Sequence, residues 1–472
     1  MITQTDITNE LLAENGTPTM AEVIDDLIKS HDTNLMRAGV DYYNNHNDIK
    51  DRQIKHWEDG EEVIDETATN NKLPHNWQKL LVDQKANYLV GKPITFSATE
   101  SSEEGEQPTE SEQFVNFVND LLAEQFDDDI WELTKGAANK GVEWLHPYIR
   151  SEGDFDYVVI DAMEFIPIWE TTKQKELSAG LRYYILNVNG EDRIKAEYWT
   201  RDTVTYYLES EDGVLEQDGE EEPHFTYNGE PQSWSKVPFI AFKNNEEMDG
   251  DLQQYKELID SYDRNISDLD NNLEEIQEAV WVVKNYGGQD AQEFKDNLRF
   301  FKYINVEDKE GDVKTITVDI PVEAKKEMLD RLEENLYTFG QGVNTKTDNF
   351  GNNPTGVALK FMYALLDLKA DKTERKFKRA IREFLWFIAE YLRYDEKKEF
   401  DYKSVQITFN KSMLINESEK IDSVQKSKGI ISDETAVSNH PWVDDPAEEL
   451  QRLEQQGEDY VDLDSVDSTE EE

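Results

Sequence analysis

The chain has 472 residues and no cysteine, which excludes disulfides, thiolate metal sites and a cysteine nucleophile. Its 103 acidic residues outweigh 49 basic ones, giving a formal net charge of -54 that repels phosphate backbones and argues against ordinary nucleic-acid binding. A hydrophobic share of 37%, with 21 Tyr, 20 Phe and 10 Trp, excludes wholesale disorder and supplies cores for about two to four domains. High-salt adaptation is the other common source of so many carboxylates, and composition does not separate the two. Met1 to Gly16 does not read as a signal peptide, and the most apolar helical run, Phe384 to Leu392, is short and contains Glu390, so no transmembrane span is expected.

Thr19-Met20-Ala21-Glu22 reads as a capping box, and Val23, Ile24, Leu27 and Ile28 follow at helical spacing. Asp41 to Gln53 reads as a polar connection with two exposed tyrosines. After Pro74 a second helix is expected, with Trp77, Leu80, Leu81, Tyr88 and Leu89 mostly on one face and Gly91 and Pro93 as its stop. Ala98 to Gln113 is acidic, of low complexity, and reads as a disordered loop. From Trp144 to Phe242 short alternating runs broken by Gly or Asp turns predict strands. Residues 1–248 therefore read as an α+β unit.

Residues 249–278 change character. Leu252, Tyr255, Ile259, Tyr262, Ile266, Leu269, Leu273 and Ile276 alternate spacings of three and four, a heptad seam for lengthwise packing on other helices. An ordinary amphipathic helix is the plainer alternative. Residues 279–321 carry short strand-like runs split by glycines, a small α/β insertion. A second helix follows over 322–340, with Met328, Leu332, Leu336 and Phe339 on one stripe, so the insertion sits at the tip of a helix pair. Residues 341–353 form a Gly/Asn-rich loop whose charges are Lys346 and Asp348; such residues tolerate many backbone conformations. Pro354 suits the first turn of the next helix, which runs to near Arg393 and would be about 60 Å long if straight. That helix is apolar at both ends and charged from Asp367 to Lys376, which predicts a wetter middle. With a strand, it fills 354–410. Short helices are expected over 411–456, and 457–472 reads as an acidic disordered tail.

Motifs of catalysis are missing. Gly91-Lys92 is followed by Pro93, not by a phosphate-loop hydroxyl, and no GxGxxG, GxSxG or HExxH occurs. The histidines are scattered without metal-ligand spacing. Carboxylate pairs such as Asp154 with Asp156 are what this acid content produces by chance, so solvated faces and helix caps account for them better than a two-metal centre. The aromatics lack a basic groove and read as core. No catalytic residue, cofactor or metal is expected. An acidic metal-dependent hydrolase or nuclease, or a halophilic coiled-coil protein without a DNA tunnel, are the alternatives.

The order of parts, together with YYNNHNDIKDR, NNKLPHNWQKLLVDQKANYLVGKPITF, VPFIAFKNNEEMDGDLQQYKELIDSYDRNISDLDNNLEE and GIISDETAVSNHPWVDDPAEE, resembles the SPP1-type family of tailed-phage portal proteins over roughly Thr19 to Leu450. The acidic insertion at Ala98 to Gln113 and the strongly acidic surface depart from that pattern. The resemblance implies an α+β portal fold with wing, long helical stem, small α/β clip and helical C-terminal crown. Carried over, the wing is 1–248 together with 354–410, and the stem is 249–278 with 322–340. The clip is 279–321, the tunnel loop 341–353 and the crown 411–456. It implies DNA-facing positions at Lys346, Thr347, Asp348, Asn349, Phe350, Asn352 and Asn353. It further implies a homo-oligomeric ring at one capsid vertex, a channel for packaging and ejecting double-stranded DNA without sequence specificity. The implied partners are the terminase (the packaging ATPase), major capsid and scaffolding proteins, and a head-completion adaptor. No enzymatic activity or membrane association is implied, and the place is the virion after assembly in the host cytoplasm. Size is compatible: about twelve helices packed 8–10 Å apart make a circle about 34 Å across, leaving a hole near 24 Å for a duplex about 20 Å wide.

Overall fold

The computed structural model describes all residues except 1, 12–17, 59, 67, 100–106, 172–174, 276–279, 285–311, 317–320, 347–355, 396, 413–420, 422–423, 428, 439, 441, 444–448, 451 and 454–472. Helices and sheets are mixed throughout, as an α+β reading requires. Helices α1 (Gln4–Leu11), α2 (Met20–Ser30), α3 (Asn34–Tyr43), α4 (Trp77–Val90) and α5 (Glu110–Lys140) alternate with strands in the first half. The long helices α6 (Lys256–Glu275), α7 (Val322–Phe339) and α8 (Gly356–Asp395) dominate the second.

The expected capping box starts α2: the Glu22 amide donates to Thr19 Oγ1 at 3.3 Å and the Thr19 amide to the Glu22 carboxylate at 2.7 Å. That satisfies two amides that would otherwise lack partners. Val23, Ile24 and Leu27 then bury against one face of a long meander. Its strands run in the order Ile2–Thr3, Phe165–Trp169, Leu177–Val188, Glu191–Trp199, Thr203–Glu209, Leu215–Gln217. They are antiparallel except for the first, which pairs parallel with Phe165–Trp169.

A three-stranded sheet (Ile240–Lys243, Val142–Ile149, Phe155–Ile160) separates two further cores. Period-two alternation sends Leu145, Ile240 and Phe242 to one side and Trp144 and Ala241 to the other. The larger core joins α5 (Phe114, Val118, Phe126, Ile130) to the C-terminal half of α8 (Phe377, Ile381, Phe384, Ile388).

Three local expectations change. Helix α5 has no counterpart among the elements expected from the sequence, and the loop expected over Ala98 to Gln113 yields to it at Glu110. Thr109 and Glu112 form a second capping box there. The helix breaks at Ala123, whose φ of 41° is not helical, and ends at Gly141. Gly141 has φ +92°, and a Cβ would lie 1.9 Å from the Met248 carbonyl oxygen, so only glycine fits. The two tyrosines expected in an exposed connection end α3 instead. Tyr42 is buried and its hydroxyl bonds Asp260, while the Tyr43 hydroxyl donates to Asp83 at 2.7 Å. In α8 the expected wet middle is mixed: Lys369, Ala370 and Thr373 are buried while Leu368, Lys372 and Arg375 are exposed, and the apolar run before it exposes Phe361 and Leu365.

Of the expected insertion, Val280–Lys284 pairs antiparallel with Asp312–Ile316. The remainder of 279–321 lies largely outside the described residues, as does the acidic tail.

The second core makes one pH prediction. His146 is buried, stacked on Phe239 with ring centroids 4.5 Å apart, and its Nδ1 donates to the Pro238 carbonyl at 2.6 Å. Burial pushes its pKa down to about 4 from an ordinary 6.5, with Arg182 and His224 adding to the depression. Between those values the unfolded chain binds a proton that the folded chain refuses. Stability attributable to His146 is therefore intact above pH 6.5 and declines as pH falls towards 4, at about 1.4 kcal/mol per pH unit. His146→Phe keeps the ring stacking and should flatten the acid limb of a stability-versus-pH curve by one proton. Urea midpoints from pH 7 to 4 test this; parallel curves for the two proteins would refute it.

Candidate functional site: a helix pair and the root of its loop

The expected seam is divided between two surroundings, and it does not run on one helix: Leu252 sits in a 3-10 turn (Asp251–Gln254) and Tyr255 caps it, so α6 carries the seam only from Ile259. Leu252, Tyr255 and Ile259 are buried within the chain, packed with Tyr42, Trp77, Leu81 and Leu336. Tyr262 is half-buried and meets His75 and Trp77 edge-on, at centroid distances of 4.9 and 5.5 Å. Ile266 and Leu269 are half-buried, Leu273 is exposed, and Ile276 lies outside the described residues. The first third of the seam is thus core of its own subunit, not a surface.

A second stripe on α6 is polar and buried: Asp263, Ser267 and Asn271 at intervals of four. The segment Asn71–His75 runs beside it. The Asn71 amide donates to Asn271 Oδ1 (2.7 Å), the Leu73 amide to Ser267 Oγ (3.1 Å) and the His75 amide to Asp263 Oδ1 (3.0 Å). The other Asp263 oxygen accepts from Asn47 Nδ2 at 2.6 Å, and Arg52 bonds Asp268 at 2.5 Å on the adjoining face. Backbone amides of an irregular segment thereby gain the partners that a strand or helix would give them.

On α7, Leu332 and Leu336 are buried, whereas Met328 and Phe339 of the same expected stripe are exposed. The loop beyond α7 starts under close restraint. Gly340 and Gly342 press on Leu81, and a Cβ on either would come within 2.6 Å of its methyl carbons. Gln84 brackets buried Val343, accepting from its amide at 2.9 Å and donating to its carbonyl at 2.8 Å. Lys346, expected as a cation free to meet a phosphate, is paired with Glu333 on α7 at 2.5 Å. Thr347, Asp348, Asn349, Phe350, Asn352 and Asn353 lie outside the described residues.

Behind this root sits a buried ionic cluster. Asp251 accepts from Lys85 (3.2 Å), Lys369 (3.0 Å) and Asn244 Nδ2 (2.8 Å), and Lys85 also bonds Asn244 Oδ1. Lys369 donates to the Gly340 carbonyl at 2.9 Å, tying the end of α7 to α8. Burial works against the Asp251 charge, but the two ammoniums outweigh it and hold its pKa well below the carboxylate range. Lys85 shares that single anion with Lys369, and burial brings it down to about 8. Two cations on one carboxylate leave the cluster with excess positive charge. No periodic apolar pattern announces it. The signal available in the sequence is a lysine on an apolar stripe: Lys85 between Leu81 and Leu89, Lys369 between Leu366 and Thr373.

The N-terminal half of α8 exposes Phe361, Leu365 and Leu368, with Phe361 at 79% and Leu368 at 58% exposure. These share one helix face at spacings of four and three, and among the described residues nothing covers them. Among the described residues, no group of three or more His, Asp or Glu is placed to hold a metal, and no helix is long and apolar enough to cross a membrane.

A helix keyed to a neighbouring strip, a restrained loop root and an apolar helix face covered by none of the described residues are features of a subunit built for assembly. Its sequence matches the family described as phage portal protein, SPP1 Gp6-like, over residues 25–462. It is 39% identical over 475 residues to the portal protein of Bacillus phage SPP1, covering 98% of this chain and 92% of that one. It is 35% identical over 430 residues to the portal protein of Clostridium phage phiCD119, covering 87% of this chain and 90% of that one. The chain belongs to the SPP1 Gp6-like family of phage portal proteins. Its function is that of a phage portal protein, a structural, non-enzymatic connector of the capsid and a component of the virion.

Proposed function

We propose that copies of this chain close into a ring of about twelve at one capsid vertex, through which double-stranded DNA is packaged and later ejected. The apolar face of α8 carries the reading: Phe361, Leu365 and Leu368 project from a long helix and are covered by none of the described residues of their own subunit. A heterologous contact brings two different surfaces together, and a closing rotation makes a ring. Within it, α6 and α7 form the stem, 1–248 with 354–410 the wing, and 411–456 the crown. Residues 279–321 are the clip, the docking face for the terminase and later a head-completion adaptor, while capsid and scaffolding proteins meet the outer surface. Assembly takes place in the host cytoplasm.

The tunnel loop, 341–353, is the collar nearest the DNA. In a channel walled by a chain of net charge -54, a duplex finds few phosphate-neutralising partners and slides without being trapped. Lys346 is held by Glu333, so the loop grips weakly, through asparagine side chains and backbone. Gly351→Pro with Asn352→Pro should leave rings intact in negative stain yet stall DNA part-way into the capsid. Packaged DNA length per particle is the measurement; full-length DNA at the normal rate would reduce the loop to a connector.

A further inference from the structure

The acidic chain contains one strongly basic recess. It has a volume of about 390 Å³, and seven basic side chains line it against three carboxylates, in a protein with 49 basic and 103 acidic residues. Lys376, Arg379 and Arg382 come from α8, Lys236 and Lys243 from the segment around Ile240–Lys243, and Lys175 and Arg201 from loops of the large sheet. Internal carboxylates answer only some of this charge: Lys376 pairs with Glu246, Arg201 with Glu170, and Glu383 lies against Lys236 and Arg379. Arg382 gives its hydrogen bonds to the carbonyls of Tyr402, Lys403 and Val405, and Arg379 to that of Lys175. Neutral carbonyls satisfy these donors without cancelling their charge, so the seven cations still outnumber the three lining carboxylates. Burial lowers the pKa of Lys243; Glu246 opposes that shift, and Arg379 and Lys376 add to it.

Geometry narrows the ligand. The Lys236 ammonium lies 3.9 Å from the centroid of the Trp386 ring and that of Lys243 4.7 Å from the Trp169 ring, so neither ring is open for stacking a base. Half-buried Leu177, Ala241 and Trp386 make part of the wall apolar. Phosphates are poorly served by such a wall, whereas a peptide carrying carboxylates around an apolar side chain satisfies both wall and rim. Position narrows the source. On α8 the positions 376, 379, 383 and 386 continue the helix face that begins with Phe361, Leu365 and Leu368, since steps of three and four keep to one side of a helix. The recess therefore prolongs the uncovered face along the same rod.

Resting on the ring reading above, we propose that this recess receives an acidic segment of the adjacent copy of the chain, carboxylates on the rim cations and an apolar side chain on the wall. Each copy carries 103 Asp and Glu residues, so mutual repulsion opposes assembly and a cationic socket is where a neighbour's charge is accepted. The test uses a fluorescein-labelled peptide of alternating Glu and Leu, with Lys236→Glu plus Arg379→Glu as the socket variant. At low salt the peptide should bind an assembly-blocked subunit (Phe361→Glu with Leu368→Glu) at least tenfold more tightly than the same subunit carrying the socket variant. It should bind assembled rings no better than that variant, because the socket is filled, and rings of the socket variant should dissociate at lower salt. Equal binding to rings and subunits would place the acidic segment on another protein and overturn the proposal. So would duplex DNA or inorganic phosphate displacing the peptide at lower charge concentration, or absence of binding throughout. If the unaltered chain forms no rings while the peptide still binds, the ring reading fails and takes the second copy with it, leaving an acidic-peptide site.

Discussion

Asp251→Ala should cost the subunit about 3–5 kcal/mol, more than any single apolar truncation on the stem surface. The residue is 2% exposed and, among the described residues, is the one carboxylate bonded to both buried ammoniums, Lys85 and Lys369. Without it, two cations face each other in a dry site with only Asn244, a carbonyl and the Tyr255 ring face for company. Lys369→Met should be milder, about 1–2 kcal/mol, because a balanced Lys85–Asp251 pair survives and the loss is chiefly the hydrogen bond to Gly340. Urea midpoints of assembly-blocked subunits rank the variants. If Asp251→Ala unfolds within about 1 kcal/mol of the parent, the cluster is not the clamp inferred here. Proteolysis within the loop after Gly340 should accelerate in Lys369→Met, since α7 and α8 then lose their direct tie.

The second large effect is on assembly. Phe361→Glu with Leu368→Glu should leave the subunit folded and abolish rings. Both side chains are exposed within the subunit, so charge there disturbs little of its interior, while at a packed contact two carboxylates per subunit would be buried without partners. Light scattering and negative stain read the outcome: particles of subunit size with an unchanged circular dichroism spectrum. Rings of normal size from the double variant would remove α8 from the contact. Ile259→Asp makes the contrast. Ile259 is fully buried in its own subunit, so that change should unfold the region around Trp77 and Leu336 instead of separating folded subunits.

Much of the fold could be read before any coordinates. The capping box at Thr19 and the alternating runs from Trp144 to Phe242 each state a local rule that tertiary packing did not overrule, whereas the three-four spacing from Leu252 holds on a helix only from Lys256. Helix α5 was hidden because acidic residues on its exposed turns merge with the acidic run before it, and Ala123 interrupts its period. The seam was legible as an apolar stripe, but not its division, since nothing in Ile259 or Leu273 says which meets Trp77 and which meets solvent. Least legible was the polar stripe. In a chain so rich in Asp, Asn and Ser, residues such as Asp263 and Ser267 look like solvated surface until the amides of Leu73 and His75 are placed against them. The buried lysines of α4 and α8 obeyed neither composition nor period, and only their company identifies them.

That polar stripe has a mechanical meaning. Two rods joined by methyl groups can creep past each other by small steps, because dispersion contacts are many, weak and without direction. Hydrogen bonds are directional, and three spaced one helical turn apart cannot be exchanged except by a jump of a whole turn. The strip Asn71–His75 thus acts on α6 as a key acts on a shaft. Sliding α6 along the strip by less than a turn breaks all three bonds at once, so the register between them is held stepwise.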